Sequence, residues 1–224
     1  MNIARCLALG VAILASLANA APDEDRLGKA AHYPPNRQPV KAVGDRRLEV
    51  RTAAGTGVLA LYASRALQGD DAQADIERAV LVVHGRLRNA DVYWRSAQRA
   101  QQAAPVQGPH TLLVVPQFLA ERDLAAHRLA ADTLRWSLGG WEGGEAALGP
   151  APISSFEAID AILAVLADRR HFPRLTEVVV AGHSGGGQVV QRYAVVGEPE
   201  ARLAAAGIKL RYVVANPSSY LYFD

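Results

Sequence analysis

The sequence predicts an α/β fold, with a mostly parallel sheet that helices cover on both faces. Its 224 residues, 50% of them hydrophobic, suffice for one domain with a sizeable core. Short apolar runs recur along the chain, and segments with helical periodicity separate them. Four runs are continuous rather than alternating, which is typical of strands buried on both faces of a parallel sheet. These runs are Ala79–Val83, Thr111–Val115, Val178–Ala181 and Tyr212–Ala215.

Two further strands precede these runs, and their mixed polar and apolar composition suits an antiparallel edge. The predicted strands in chain order are Leu48–Thr52, Gly57–Ala63, Ala79–Val83, Thr111–Val115, Glu177–Ala181 and Leu210–Ala215. The predicted helices are Asp91–Ala103, Phe156–Asp168 and Gln188–Val196. The alternation therefore predicts an α/β sheet with an antiparallel start.

The N-terminus has the features of a secretory signal peptide. Arg5 precedes an uncharged run over residues 6–17, and the small residues Ala18-Asn19-Ala20 follow it. That run is too short to span a bilayer comfortably. We therefore expect a signal peptide over residues 1–20, cleavage after Ala20, and a secreted or periplasmic protein. The only cysteine, Cys6, lies inside this signal, so the mature chain would contain no disulfide.

The segment after the signal and the charge of the chain limit its organisation and partners. Residues 21–47 are rich in proline and charge, which predicts a flexible leader before a domain over residues 48–224. The formal net charge is +2, from 24 basic and 22 acidic residues, and no basic block stands out. We expect neither a nucleic-acid partner nor a membrane span.

One motif in the sequence carries chemistry. Residues Gly182–Gly186 fit the pattern G-x-S-x-G, directly after an apolar strand and directly before a helical pattern. On so sharp a turn Ser184 would adopt strained backbone angles, and Gly182 and Gly186 would have to lack side chains. The backbone N–H of Gly185, at the start of the helix, would point to where an oxyanion forms. The alternative is a glycine-rich turn of a phosphate-binding fold, but neither a dinucleotide fingerprint nor a P-loop lysine accompanies it.

From about Leu59 onward the chain resembles the α/β-hydrolase superfamily of esterases and lipases. The resemblance rests on the motif around Ser184 and on the pair His84-Gly85 at the end of an earlier buried strand. It implies that Ser184 is the nucleophile and that the backbone N–H groups of Arg86 and Gly185 form the oxyanion hole. It also implies catalysis without a metal ion or an organic cofactor.

The superfamily's triad follows the order serine, acid, histidine, and the sequence does not complete it. His183 adjoins the serine, but neighbouring side chains on such a turn point apart, and the other histidines all precede the motif. Asp224 follows the last strand, where it would be held poorly as the final residue. We therefore expect the last strands, the acid and the histidine to be missing from this sequence. Residues 21–224 alone are expected to be nearly inactive.

Two loops at the carboxyl ends of predicted strands are candidates for a substrate crevice. One contains Trp136 and Trp141, which either line an acyl or aromatic site or simply cover the end of the sheet. The other, residues 216–220, either reaches the crevice or forms an ordinary turn.

The motif and the resemblance together predict a serine hydrolase that cleaves a small-molecule ester through an acyl-enzyme on Ser184. Amide or thioester hydrolysis on the same site is an alternative, because the residues do not separate these substrates. A catalytically inactive binding protein that keeps the crevice is the alternative from another class.

Overall fold

The computed structural model describes residues 35–69 and 71–222. A six-stranded sheet forms its centre, with the strand order β1-β2-β4-β3-β5-β6. The strands are β1 (Arg46–Thr52), β2 (Gly55–Ala63), β3 (Arg78–Val83), β4 (Thr111–Pro116), β5 (Glu177–His183) and β6 (Lys209–Ala215). The helices are α1 (Ala90–Gln102), α2 (Glu121–His127), α3 (Ser155–Leu166), α4 (Gly185–Val196) and α5 (Pro199–Ala205).

The sheet is antiparallel at one side and parallel through the rest. Strand β2 pairs antiparallel with both β1 and β4, whereas β4, β3, β5 and β6 run parallel to one another. Each of the six strands lies where the sequence predicts one, with bounds that differ by one or two residues. The predicted α/β fold with a mostly parallel sheet and an antiparallel start is therefore confirmed.

The three long helices also match the prediction, and α3 shows why its start is sharp. The hydroxyl of Ser154 accepts a hydrogen bond from the Glu157 N–H at 3.0 Å, and the Glu157 carboxylate accepts one from the Ser154 N–H at 2.7 Å. This reciprocal capping satisfies two N–H groups that the first turn leaves free. Helices α2 and α5 were not predicted, because seven residues each are too few to show a clear period.

Strand β6 departs from its predicted environment. Its apolar run predicts a strand buried on both faces, but β6 is an edge strand of the described sheet. Val213 and Val214 are 38% and 40% exposed. The carboxyl end of β6 nevertheless lies beside that of β5, because Ala215 pairs with His183. The loop after β6 is therefore placed next to the serine turn.

The N-terminal part of the described chain contacts the domain more closely than a flexible leader would. Arg88 donates hydrogen bonds to the backbone carbonyls of Asn36 and Gln38, at 2.6 and 2.9 Å. The N–H of Val40 donates to the carboxylate of Asp123 at 2.9 Å. Contacts with the domain thus begin before residue 48, the predicted end of the leader. The predicted signal peptide and residues 21–34 lie outside the described residues.

Within residues 35–69 and 71–222, no helix is both long enough and apolar enough to cross a membrane.

Candidate active site

The predicted serine turn is present between β5 and α4. Ser184 has a φ of 58° and a ψ of −124°, and it immediately precedes the first residue of α4. A non-glycine residue in such a conformation costs roughly 1–3 kcal/mol, so the surrounding structure must hold it there. Its backbone is tied on both sides, because the Ser184 N–H donates to Ala215 at 3.1 Å and its carbonyl accepts from Gln188 at 3.0 Å.

Close contacts explain the glycines on either side of the serine. A β-carbon built on Gly182 would lie 2.2 Å from the carbonyl oxygen of Gly186. A β-carbon on Gly186 would lie 2.1 Å from the carbonyl oxygen of Val83, at the end of β3. Both atoms in the way belong to the backbone, which cannot rotate aside as a side chain can. The turn can therefore form only with glycine at both positions.

His84 orients the loop that follows β3. Its side chain is fully buried, with Nδ1 2.9 Å from the Gly85 carbonyl and Nε2 accepting from the Phe118 N–H at 2.9 Å. Because a carbonyl only accepts hydrogen bonds, the proton lies on Nδ1 and the ring is neutral. Burial lowers the pKa of His84 to about 4, which keeps it neutral at physiological pH. These contacts fix the orientation of the loop that carries Arg86.

The two predicted oxyanion donors lie side by side. A β-carbon built on Gly185 would lie 3.1 Å from the backbone nitrogen of Arg86, and one on Gly85 would lie 3.6 Å from the Ser184 β-carbon. The His84–Arg86 loop therefore adjoins the serine turn. Gly185 is the first residue of α4, so its N–H has no acceptor within the helix. The structure thus brings together the backbone groups that the sequence placed in one site.

The hydroxyl of Ser218 lies within hydrogen-bond distance of the Ser184 hydroxyl. The two Oγ atoms lie 3.3 Å apart, and the Ser218 N–H donates to the Ser184 carbonyl at 3.2 Å. Of the two interpretations of residues 216–220, the structure favours the one in which this loop reaches the site. The sequence did not single out Ser218, although its place just after the strand beside β5 could have done so.

The described histidines form their hydrogen bonds away from Ser184. His183 Nδ1 lies 3.5 Å from the Tyr93 hydroxyl, which agrees with the expectation that its ring points away from the serine. The rings of His110, His127 and His171 contact Asp75, Val40 and Gln73, respectively. His32 and Asp224 lie outside the described residues. A general base next to Ser184 is therefore not among the described histidines.

The burial of Trp136 and Trp141 favours the interpretation in which they cover the end of the sheet over the one in which they line a substrate crevice. Both side chains are 0% exposed. Phe118 packs against each of them, with ring centroids 5.2 Å from Trp136 and 5.3 Å from Trp141. Trp141 also packs edge-on against the His84 ring, at 4.7 Å between centroids. Trp141 therefore packs directly against the loop that carries Arg86, and Phe118 links Trp136 to it. Burial of these large apolar side chains stabilises the core beside that loop.

A buried carboxylate next to the site was missed. Glu142 has a side chain only 1% exposed, and it forms an ion pair with Arg86 at 3.0 Å. Little in the sequence points to Glu142, because it stands in a glycine-rich loop 56 residues from its partner.

No group of three or more His, Cys, Asp or Glu residues that could hold a metal ion occurs in the described part of the chain.

The strand order and the serine turn after β5 show that the described residues have the α/β-hydrolase fold. No protein-family model matches the sequence, and a search of curated proteins finds no match either.

Solved structures similar to this chain include poly(aspartic acid) hydrolase-1 from Sphingomonas sp. KT-1, at 21% identity and a TM-score of 0.47 over 84% of this chain. A poly(3-hydroxybutyrate) depolymerase from Bordetella parapertussis is 20% identical, with a TM-score of 0.42 over 72% of this chain. Brefeldin A esterase, a bacterial protein, is 17% identical, with a TM-score of 0.38 over 89%. The matches cover 60%, 50% and 46%, respectively, of those three proteins.

Proposed function

We propose that this protein is a serine hydrolase that cleaves ester-type bonds of small molecules through an acyl-enzyme on Ser184. The observation that carries the proposal is the turn itself. Ser184 stands at a φ of 58° beside the adjoining backbone nitrogens of Gly185 and Arg86. A strained serine with two backbone N–H groups close to it is the arrangement that acyl transfer requires.

The reaction proceeds in two steps under this proposal. The Ser184 oxygen attacks the ester carbonyl carbon, the negative charge moves to the carbonyl oxygen, and the two N–H groups stabilise it. The bond to the alcohol then breaks, the alcohol takes the proton that Ser184 lost, and the acyl group stays on the serine. A water molecule attacks this acyl-enzyme in the same way, which releases the acid and restores the hydroxyl.

The proton transfers need a base, and the described histidines do not supply one. We therefore expect the base, with its acid, to lie outside the described residues. The site would accept an amide or thioester by the same steps. The residues near Ser184 do not favour an alcohol, an amine or a thiol as the leaving group. Export after cleavage at Ala20 is a further part of the proposal, and it would place the enzyme in the periplasm or outside the cell.

Replacing the nucleophile tests this proposal in the complete protein as its gene encodes it. We expect Ser184→Ala to lower kcat/KM for short-chain p-nitrophenyl esters by about 10⁴-fold or more, because only oxyanion stabilisation and binding would remain. The melting temperature should stay close to that of the parent, because the substitution removes one oxygen atom.

Thr176→Val is the matched control, since it removes a hydroxyl that donates to the Glu77 carbonyl at 3.1 Å, just before β5 and at the opposite end of that strand from Ser184. It should keep the parent's activity. A Ser184→Ala variant whose activity stays within about tenfold of the parent would remove Ser184 from the mechanism. A parent that binds esters without turning them over would favour the inactive binding protein.

A further inference from the structure

The carboxylate of Glu142 lies against the proposed oxyanion site. Its Oε1 and Oε2 atoms accept hydrogen bonds from Nε and Nη2 of Arg86, at 3.0 and 3.2 Å. A β-carbon built on Gly185 would lie 3.3 Å from the Glu142 Cδ and 3.4 Å from its Oε1. The carboxylate is therefore in contact with the residue that supplies one donor and bonded to the side chain of the residue that supplies the other.

The backbone of Glu142 is tied to the helix that begins at the serine turn. Its carbonyl oxygen lies 3.3 Å from both the Gln188 side-chain nitrogen and an Arg192 guanidinium nitrogen, and each of them donates to it. Both donors belong to α4, whose first residue is Gly185. These bonds fix the position of Glu142 relative to Gly185. The two hydrogen bonds between the Glu142 carboxylate and the Arg86 guanidinium then fix the position of the Arg86 side chain as well.

Charge explains why the pair matters at this place. A buried carboxylate without a partner would repel the negative charge that forms on a substrate's carbonyl oxygen. The positive charge of the Arg86 guanidinium offsets the negative charge of the Glu142 carboxylate. The hydrogen bonds to Glu142 also raise the pKa of Arg86. The Arg86 side chain is 56% exposed, whereas that of Glu142 is 1% exposed. The Arg86 guanidinium therefore faces the solvent, and the Glu142 carboxylate faces the protein interior.

We propose that Glu142 is a positioning residue of the oxyanion site. Its carboxylate holds the Arg86 side chain, and this fixes the Arg86 backbone N–H beside that of Gly185. The Arg86 charge in turn keeps the Glu142 carboxylate from opposing the oxyanion. The inference rests on the proposed serine hydrolase function.

Four variants of the complete protein test it, with p-nitrophenyl butyrate as the substrate. Glu142→Gln keeps the shape of the side chain and should lower kcat about tenfold with little change in KM, because the neutral amide holds Arg86 less firmly. Arg86→Met should lower kcat about 100-fold, because it both frees the donor loop and leaves the buried carboxylate unpaired. The double variant Arg86→Met/Glu142→Gln should recover about tenfold relative to Arg86→Met, because the uncancelled charge is gone.

Arg211→Met is the matched control. Arg211 is 57% exposed and pairs at 2.7 Å with Glu177, which is 12% exposed, at the end of the sheet away from Ser184. This variant should keep the parent's kcat within roughly twofold, as expected for a half-exposed pair outside the site. Melting temperatures of all variants separate a loss of folding from a loss of rate.

The outcomes separate this inference from the proposed function. A lower kcat in Glu142→Gln with little change in KM supports the positioning role, and recovery of kcat in the double variant, with a melting temperature no lower than that of Arg86→Met, supports the cancellation of the carboxylate charge by Arg86. If hydrolysis depends on Ser184 but the double variant is no faster than Arg86→Met, the inference is overturned and the serine mechanism stands. If the parent shows no Ser184-dependent hydrolysis, both fall together. Where Arg86→Met does not fold, an unchanged kcat in Glu142→Gln overturns the inference by itself.

Discussion

Two arginines on one short loop form ion pairs of opposite character. Arg86 is half-exposed and faces the serine turn, with Glu142 as its partner. Arg88, two residues later, pairs with Asp123 at 2.8 Å, and both of those side chains are 0% exposed. The guanidinium of Arg88 also donates hydrogen bonds to the backbone of residues 36 and 38, so one arginine lies next to the serine turn and the other holds the N-terminal segment.

The backbone of the loop explains how neighbouring arginines can serve such different surroundings. Arg88 has a left-handed φ of 57°, and its N–H donates to the Gly85 carbonyl at 3.0 Å. Its own carbonyl accepts from the Gln117 side chain at 2.9 Å. Hydrogen bonds therefore close the loop into a turn, which holds the Arg86 side chain toward solvent and the Arg88 side chain toward the protein interior. We therefore expect the fully buried pair of Arg88 to affect mainly folding and the pair of the half-exposed Arg86 to affect mainly the proposed chemistry.

Removing the anion of the buried pair should have the largest effect on folding. We expect Asp123→Ala to lower the free energy of unfolding by about 3–5 kcal/mol, because it leaves the Arg88 charge buried without its partner. It also removes the acceptor of the Val40 and Ala120 N–H groups. Urea unfolding of the variant and the parent measures the difference.

Glu121→Ala on the same helix is the control for that measurement. Glu121 is 68% exposed and pairs with Arg135, so its loss should cost no more than about 1 kcal/mol. Equal losses in the two variants would mean that burial does not distinguish these ion pairs.

A smaller effect should appear as a dependence of stability on pH, through His84 on the same loop. Its pKa is about 4 in the folded protein and about 6.5 when unfolded, so between these values only the unfolded chain binds the proton. Stability from this group is therefore complete above pH 6.5 and falls as the pH drops toward 4. The total loss is about 3 kcal/mol, because the pKa values of His84 in the folded and unfolded protein differ by about 2.5.

Urea unfolding at several pH values between 4 and 7 measures this loss. His84→Gln should be less stable at pH 7 but should lack this part of the pH dependence. His110→Gln, a substitution at an exposed position, should keep it. If the parent and His84→Gln lose stability in parallel as the pH falls, His84 does not hold the loop as a neutral ring.

The parts that the sequence predicted correctly are those specified by neighbouring residues. The strands follow from continuous apolar runs, and the turn at Ser184 follows from glycines two residues away on each side. The segment over residues 35–47 shows the opposite case. Its proline-rich composition predicts flexibility, but its backbone bonds an arginine about 50 residues later in the chain.

The same distinction applies to the loop residues near the site, whose environment the sequence left open or did not indicate. Trp136 and Trp141 stand in a loop, and a loop's burial depends on partners such as Phe118 that no local pattern relates to it. Glu142 was missed for the same reason, because its role follows only from the closeness of Arg86 and Gly185. Long-range packing therefore decides which residues near the turn contact the site and which support it.

Covalent labelling of the complete protein with a fluorophosphonate tests the central claim most directly, because only an activated serine reacts readily with such a reagent. Trypsin cleavage after Arg174 and Arg192 leaves the peptide Leu175–Arg192, in which Ser184 is the only serine. We predict that this peptide gains the mass of the phosphonyl group and that the gain disappears in Ser184→Ala. A parent that takes up no label on this peptide, or a Ser184→Ala variant that is labelled there equally, would contradict Ser184 as the nucleophile.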